Sequence, residues 1–225
     1  MSQFLKTLSS WPITWGITVA TLALFGLEFV FPACGAMLEF DTTTSWVSQI
    51  VNLLTCHWMH WTGEHLFWDL GMFVLLCGLC EKINRRRLAM TLLTASIAIP
   101  IAVGMWHPEV VSYRGLSGLD TALFGMAVVS FGLAKMRESD RWGMALYFGL
   151  LVAMIGKTIH ELNFGTLFVE SSNFVPVPVA HVVGAVIGVS FGVWQFASER
   201  TDGEVQADEP GVNGGSAPLV QEGTF

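Results

Sequence analysis

Stretches of about twenty residues with almost no charge recur along this chain, and they constrain its fold more than any other feature. A helix of about 20 apolar residues spans the roughly 30 Å hydrocarbon core of a bilayer. Six windows meet or approach that length. They are 11–31, a second that opens in the polar and aromatic stretch around His60 and turns purely apolar over 70–79, then 88–106, 117–134, 142–159 and 177–197. Only 13% of the 225 residues are charged, against roughly 25% in an ordinary soluble domain. That is too little charge to cover a globular surface in water. The sequence therefore predicts an all-α membrane protein, a compact bundle of six transmembrane helices. Several windows are short and glycine-rich, which suits close helix packing.

The charges that remain are unevenly placed. The net charge of −7 argues against a nucleic-acid partner, because phosphates attract basic surfaces. After Ser198 six acids face one base, Arg200, so five of the seven net negative charges belong to the C-terminal end. That end bears Glu, Gly and Pro without apolar periodicity, and residues 198–225 are expected to form a disordered acidic tail. Residues 1–10 read as a short N-terminal segment and 11–197 as one membrane domain. The first window is longer than a signal-peptide core and lacks a small-x-small cleavage site, so it reads as a retained span.

The basic residues give an orientation. Lys6 precedes the first window, Lys82 and Arg85–Arg87 follow the second, and Lys135, Arg137 and Arg141 follow the fourth. The positive-inside rule makes all three clusters cytoplasmic, which requires an even number of spans and both termini inside. Trp11, Trp15, Trp142 and Trp194 then fall at inner ends, and Trp46, Trp58, Trp61 and Trp106 at outer ones. The expected location is a cell membrane, a bacterial inner membrane, crossed several times, with the lipid bilayer as the first partner. Four cysteines make no disulfide framework, and Cys77-x-x-Cys80 inside an apolar helix reads as two buried thiols rather than a redox pair.

Ionisable groups at membrane depth are costly and mark function by default. They are Glu28, His57, His60, Glu64, His65, Asp69, Lys157, His160, Glu161 and His181, with the Ser117 hydroxyl added for its setting. Three spans run inward from the outer side. His60, His65 and Asp69 lie early in one, Ser117 opens the next, and His181 lies early in the last, so all five share one level. Ser117 sits in Gly115-Leu116-Ser117-Gly118, where glycines permit close approach by a substrate chain. The plainer reading is a serine that caps the helix, as His181 alone would read as a packing histidine. Gly184, Gly188 and Gly192 form a small-residue ladder that matches Gly118, Ala122, Gly125 and Gly132. Close contact between those faces would bring His181 to Ser117 as a nucleophile–base pair.

Gly115-x-Ser117-Gly118, then Ala180-His181-x-x-Gly184-x-x-x-Gly188 two spans later, with His60-x-x-x-x-His65-x-x-x-Asp69 two spans earlier, resembles the rhomboid intramembrane serine proteases. The match in order and spacing covers about residues 46–197. The stretch from Trp46 through Leu53-Leu54-Thr55-x-His57-Trp58-x-His60, with Tyr113-x-Gly115-Leu116-Ser117-Gly118, looks closest to the rhombosortase branch.

The resemblance implies a six-span rhomboid-like bundle and a serine endopeptidase that needs no cofactor or metal. Ser117 would be the nucleophile and His181 the general base and then acid. His65 and the position of Asp69 would stabilise the oxyanion with the Ser117 N–H, and His60 would support the water-filled cavity. Gly115 and Gly118 would flank the nucleophile, while Gly184 and Gly188 would pack the helices. Substrates would be single-span membrane proteins, and for rhombosortases those whose C-terminal anchors begin with a small-residue motif. The oligomeric state stays open.

One position departs from the family, since Asp69 stands where rhomboids carry Asn. A carboxylate cannot donate to an oxyanion. Asp69 is either protonated, or paired with a charged His65, or the mark of an inactive rhomboid-like protein that binds membrane helices. Other groupings carry less. His57, His60, His65 and Asp69 are of metal-ligating type, yet H-E-x-x-H is absent and the step from His60 to Glu64-His65 is one residue too long for its inverted form. Lys157 and Glu161, spaced i,i+4 beside His160, read as a neutralising structural ion pair. A transporter relay through those three would leave the Gly-Ser-Gly motif unexplained. Glu28 reads as interfacial. Gly214-Gly215-Ser216 resembles a rhombosortase substrate signal, but no apolar span follows it, and it reads as linker composition.

Overall fold

The computed structural model describes residues 10–164 and 177–208. The architecture is all-α apart from one two-residue ladder. The elements are α1 (Pro12–Val30), α2 (Ala33–Leu38), β1 (Phe40–Asp41), α3 (Asn52–Thr55), α4 (Gly63–Trp106), β2 (Ser112–Tyr113), α5 (Ser117–Arg137), α6 (Arg141–Phe164) and α7 (Pro178–Asp208). Short 3₁₀ turns flank α3 at Trp46–Gln49 and Cys56–Trp58. Four helices, α1, α4, α5 and α6, are long and apolar enough to cross a membrane, and Pro178–Trp194 is a shorter apolar helix.

The 44 residues of α4 are two helices joined at a break. Asn84 adopts φ −161° and ψ 102°, and its side-chain oxygen accepts from the Arg87 N–H at 3.0 Å. That is N-cap geometry, so Asn84 ends one helix and starts the next, and the basic run Arg85–Arg87 fills the new first turn. The two apolar windows expected on either side of residues 80–87 are the two halves of α4.

α1 has no side-chain cap of its own and begins Trp11-Pro12. Its first N–H groups are met instead by Glu81 of α4, which accepts from Ile13 N–H at 3.1 Å, Thr14 N–H at 3.0 Å and the Thr14 hydroxyl at 2.7 Å. An anion at a helix N-terminus satisfies orphan donors and the helix dipole together. Glu81 is fully buried there and also contacts Arg85 at 3.1 Å. Lys82 lies over the Trp11 ring, Arg85 donates to the Ser10 carbonyl at 2.9 Å, and Arg87 lies over Trp194. The Asn84 break, the start of α1 and Trp194 of α7 therefore share one end of the bundle.

The apolar pattern is turned outward. The buried residues of α1 are Thr14, Thr18 and Thr21, while Val19, Leu22 and Phe29 face out. On α6 only Met154, Thr158 and Glu161 are buried, and Trp142, Leu146, Phe148, Val152, Ile155 and Leu162 are exposed. A helix with polar residues inside and large apolar ones outside is stable when its surroundings are hydrocarbon.

α7 continues to Asp208, past the boundary expected at 197. Residues 199–208 hold no proline and several good helix formers, which favours continuing the turn over ending it. The rest of the expected tail, with Gly214-Gly215-Ser216, lies outside the described residues, as do Lys6 and residues 165–176.

Candidate active site

Ser117 is delivered by a turn that other elements hold in place. β2 pairs antiparallel with β1, Phe40 opposite Tyr113 and Asp41 opposite Ser112. The chain then turns at Gly115, where φ is +120°, a conformation that disfavours any side chain. A Cβ there would also meet the His65 ring at 3.0 Å and Asp69 Oδ2 at 3.2 Å. The Gly115 N–H donates to the Cys56 carbonyl at 3.1 Å, and its carbonyl lies 3.2 Å from His57 Nδ1. Leu116 is the N-cap of α5, without a side-chain cap bond, and its N–H donates to Asp69 Oδ2 at 3.0 Å. Asp69 thus takes up the N-cap N–H, and Ser117, the first residue of the helix, lines a cavity.

α5 and α7 pack backbone against backbone. A Cβ on Gly184 would collide with the Gly118 carbonyl, and one on Gly188 with the Ala122 carbonyl. Gly125 sits 3.2 Å from the Val189 nitrogen by the same measure, and Gly192 2.8 Å from Val129 Cβ. Residue numbers rise together along this seam, so the helices run parallel and both start at the same end. Gly132 leaves the seam and faces Tyr147 of α6. At the open end, a Cβ on Gly118 would lie 3.3 Å from the Ala180 carbonyl, which puts Ser117 and His181 one residue either side of a backbone contact. Both line one cavity of about 870 Å³. They make no hydrogen bond to each other in this structure, as is common before a substrate tightens the site.

His181 is held from its far side. Its Nδ1 lies 2.7 Å from Glu161 Oε2, and the other carboxylate oxygen of Glu161 accepts from Lys157 Nζ at 2.6 Å. The expected i,i+4 pair is present, but it serves a third residue as well. Two further buried groups line the cavity beside Ser117. Asp120, one turn along α5, has a carboxylate oxygen without a hydrogen-bond partner, and so does the Tyr113 hydroxyl. Asp120 was legible as an acid inside the fourth apolar window, three residues past the serine. It is absent from the ionisable groups singled out by the sequence, as are Glu81 and Arg114.

No family model matches the chain, and no curated protein matches it.

The remaining sequence-derived residues separate into two groups. His65 and Asp69 line the cavity, whereas His60 does not. His60 stands behind them, with Nδ1 3.3 Å from the Trp58 carbonyl and Nε2 3.4 Å from Asp69 Oδ2. It contacts Asp69 from outside the cavity lining. Asp69 Oδ2 also lies 3.1 Å from His65 Nε2, so one carboxylate oxygen gathers two imidazoles and the Leu116 N–H. The thirteen-residue run 57–69 is folded around that oxygen, and Thr62 caps the helix by accepting from the His65 N–H at 3.1 Å.

His57 is fully buried and bridges the Gly115 and Ser96 carbonyls, at 3.2 and 3.1 Å. Burial pushes its imidazole from 6.5 down to about 4, so at pH 7 the ring is neutral and its single N–H donates to one of the two carbonyls. Wedged between them, it braces the turn at Gly115. Among the described residues no group of three His, Cys, Asp or Glu is arranged to hold a metal. Glu28 is more than interfacial, because it contacts Arg114 at 2.8 Å. Arg114 also contacts Glu39 at 2.7 Å and lies over the Trp61 ring at the rim of the cavity. Cys77 and Cys80 are buried free thiols, the second donating to the Leu123 carbonyl.

Proposed function

We propose that the chain is an intramembrane serine endopeptidase of the rhomboid kind, cleaving single-span membrane proteins near the external face. One observation carries the reading. A serine hydroxyl released from helix capping and an imidazole from the helix packed against it line the same cavity, within a body whose outer surface is apolar. On this reading the halves of α4 and the apolar part of α7 are separate crossings. That makes six, with the basic end at the Asn84 break cytoplasmic and the Ser117 end external.

Ser117 Oγ attacks the peptide carbonyl carbon while His181 Nε2 takes the hydroxyl proton. The negative charge on the carbonyl oxygen develops against the first N–H groups of α5. The C–N bond breaks as His181 returns the proton to the leaving amine. A water molecule then attacks the ester, again giving a proton to His181, which passes it to Ser117 as the carboxylic acid departs. Asp69 acts as an acceptor that holds the turn and the His65 ring, so oxyanion stabilisation falls to backbone N–H groups.

A fluorophosphonate that labels activated serines tests this. The wild type is expected to label, Ser117→Ala not at all, and His181→Ala at least about 100-fold more slowly. Equal labelling of all three would sink the dyad. A second reading, a silent rhomboid-like protein that binds membrane helices, draws on Asp69 in place of an amide donor. It requires that Asp69→Asn bring cleavage of a tagged single-span substrate up from a null background.

A further inference from the structure

The dyad reading leaves a buried carboxylate unexplained. Glu161 belongs to α6, the least buried of the four long apolar helices, yet its own side chain is only 3% exposed. Its two oxygens do different work. Oε1 is held by Lys157 one helical turn earlier, and Oε2 lies 2.7 Å from His181 Nδ1. A carboxylate paired with an ammonium has no proton to give, so the hydrogen between Glu161 and His181 sits on Nδ1. That fixes Nε2 as the basic nitrogen, the one that a nucleophile–base pair with Ser117 requires.

We propose that Glu161 is the positioning residue of this site. It holds His181 in the productive tautomer and orientation, with Lys157 locking Glu161 in turn, so that the working unit is Lys157–Glu161–His181–Ser117. The proposal rests on the serine-hydrolase reading and goes beyond its two-residue dyad. Lys157 anchors Glu161 through a bond within one helix, which fixes the carboxylate before α7 is reached. When His181 gains a proton, Glu161 offsets the imidazolium charge across a distance of one hydrogen bond. The other charged and titratable groups that share the cavity are His160 on α6, Asp120 on α5, His65 and Asp69 on α4, and Tyr113 and Arg114 in the segment before α5. Among the described residues Glu161 is the acid in contact with the His181 ring.

Glu161→Gln is the informative variant, because it keeps the shape. Lys157 can only donate, so it takes the single amide oxygen and turns the NH₂ toward His181 Nδ1. That places the ring proton on Nε2, the wrong nitrogen. In the full-length protein in lipid nanodiscs, fluorophosphonate labelling of Glu161→Gln is expected to slow by roughly 100-fold or more, with the maximal labelling rate kinact falling and the binding constant KI nearly unchanged. Glu161→Asp restores part of the rate, and the melting temperature of Glu161→Gln stays close to wild type. A ¹⁵N-histidine spectrum reads the bond without activity: a downfield Nδ1–H resonance is present in wild type and lost in both Glu161→Gln and His181→Ala.

Labelling of Glu161→Gln at the wild-type rate, or survival of that resonance in it, overturns the role of Glu161 and leaves the dyad standing. A wild type that does not label overturns the hydrolase reading and the role of Glu161 with it. The resonance distinguishes the two failures.

Discussion

The two walls of the cavity are built on opposite principles. The α5–α7 wall is a seam of backbone against backbone, with glycine wherever a Cβ would strike a carbonyl. The α6 wall faces its surroundings with Trp142, Phe148, Ile155 and Phe164, and Gly149 and Gly156 have nothing within 4 Å of a built Cβ. Among the described residues its charged contact to α7 is Glu161, against His181. The candidate nucleophile and base both sit on the rigid wall, where side-chain rotation cannot separate their helices. The loosely seated wall supplies what orients the base. Precision is placed in the seam and adaptability beside it.

The largest test of this contrast is steric. Gly188→Leu must push the Ala122 backbone aside, with Cα itself only 2.9 Å from the new Cβ, and should destabilise the protein by about 3 kcal/mol or more. Gly149→Ala on the open wall should stay within about 1 kcal/mol of wild type and lean toward greater stability, since alanine is the better helix former. Thermal unfolding in detergent measures both. Similar losses at the two sites would erase the distinction.

A smaller effect is expected where α1 joins the bundle. Glu81→Ala strands two backbone N–H groups and a threonine hydroxyl, for a loss of about 1–3 kcal/mol in the same assay. If the melting temperature did not move, the anchoring of α1 would have to come from its threonine face.

The turn before Ser117 has its own pH signature. His57 is neutral in the fold down to about pH 4, whereas in the unfolded chain it gains a proton near 6.5. The unfolded state therefore binds more protons between those values, and stability should decline as pH falls from 6.5 toward 4 and level off below. The neighbouring charge that matters is His60, which acts in the same direction. His57→Asn should flatten that limb, and an unchanged slope would remove His57 from the explanation. The smallest change belongs to the link between the walls. Ser139 has φ 57°, so Ser139→Gly should stabilise by about 1 kcal/mol, read as a higher melting temperature.

Much of this fold was legible because lipid imposes a simple rule of length and apolarity. The windows separated by Lys82 and Arg85–Arg87 correspond to the halves of α4, and the glycine ladder on 184–192 points to a close helix partner. Other features were hidden because they depend on contacts between distant residues. Glu81 looks like one more charge in a basic loop until Thr14, 67 positions away, is seen to lie against it. Glu161 is accounted for in the sequence by its i,i+4 pairing with Lys157, which gives no sign of its second partner on α7. His60 has the spacing of a cavity residue, yet it lies against the Trp58 carbonyl and Asp69 and is not among the residues that line the cavity.

The sequence by itself determined that the chain is helical and suited to hydrocarbon, and that its chemistry-bearing side chains gather around Ser117. Those properties follow from composition and period, which are local. Only the tertiary structure decided which nitrogen of His181 is engaged, that Asp69 Oδ2 accepts from the Leu116 N–H, and that α5 starts without a side-chain cap from the serine. Each of these turns on the direction of a single polar atom. That direction is set by whichever neighbour, near or far along the chain, satisfies it when water is absent.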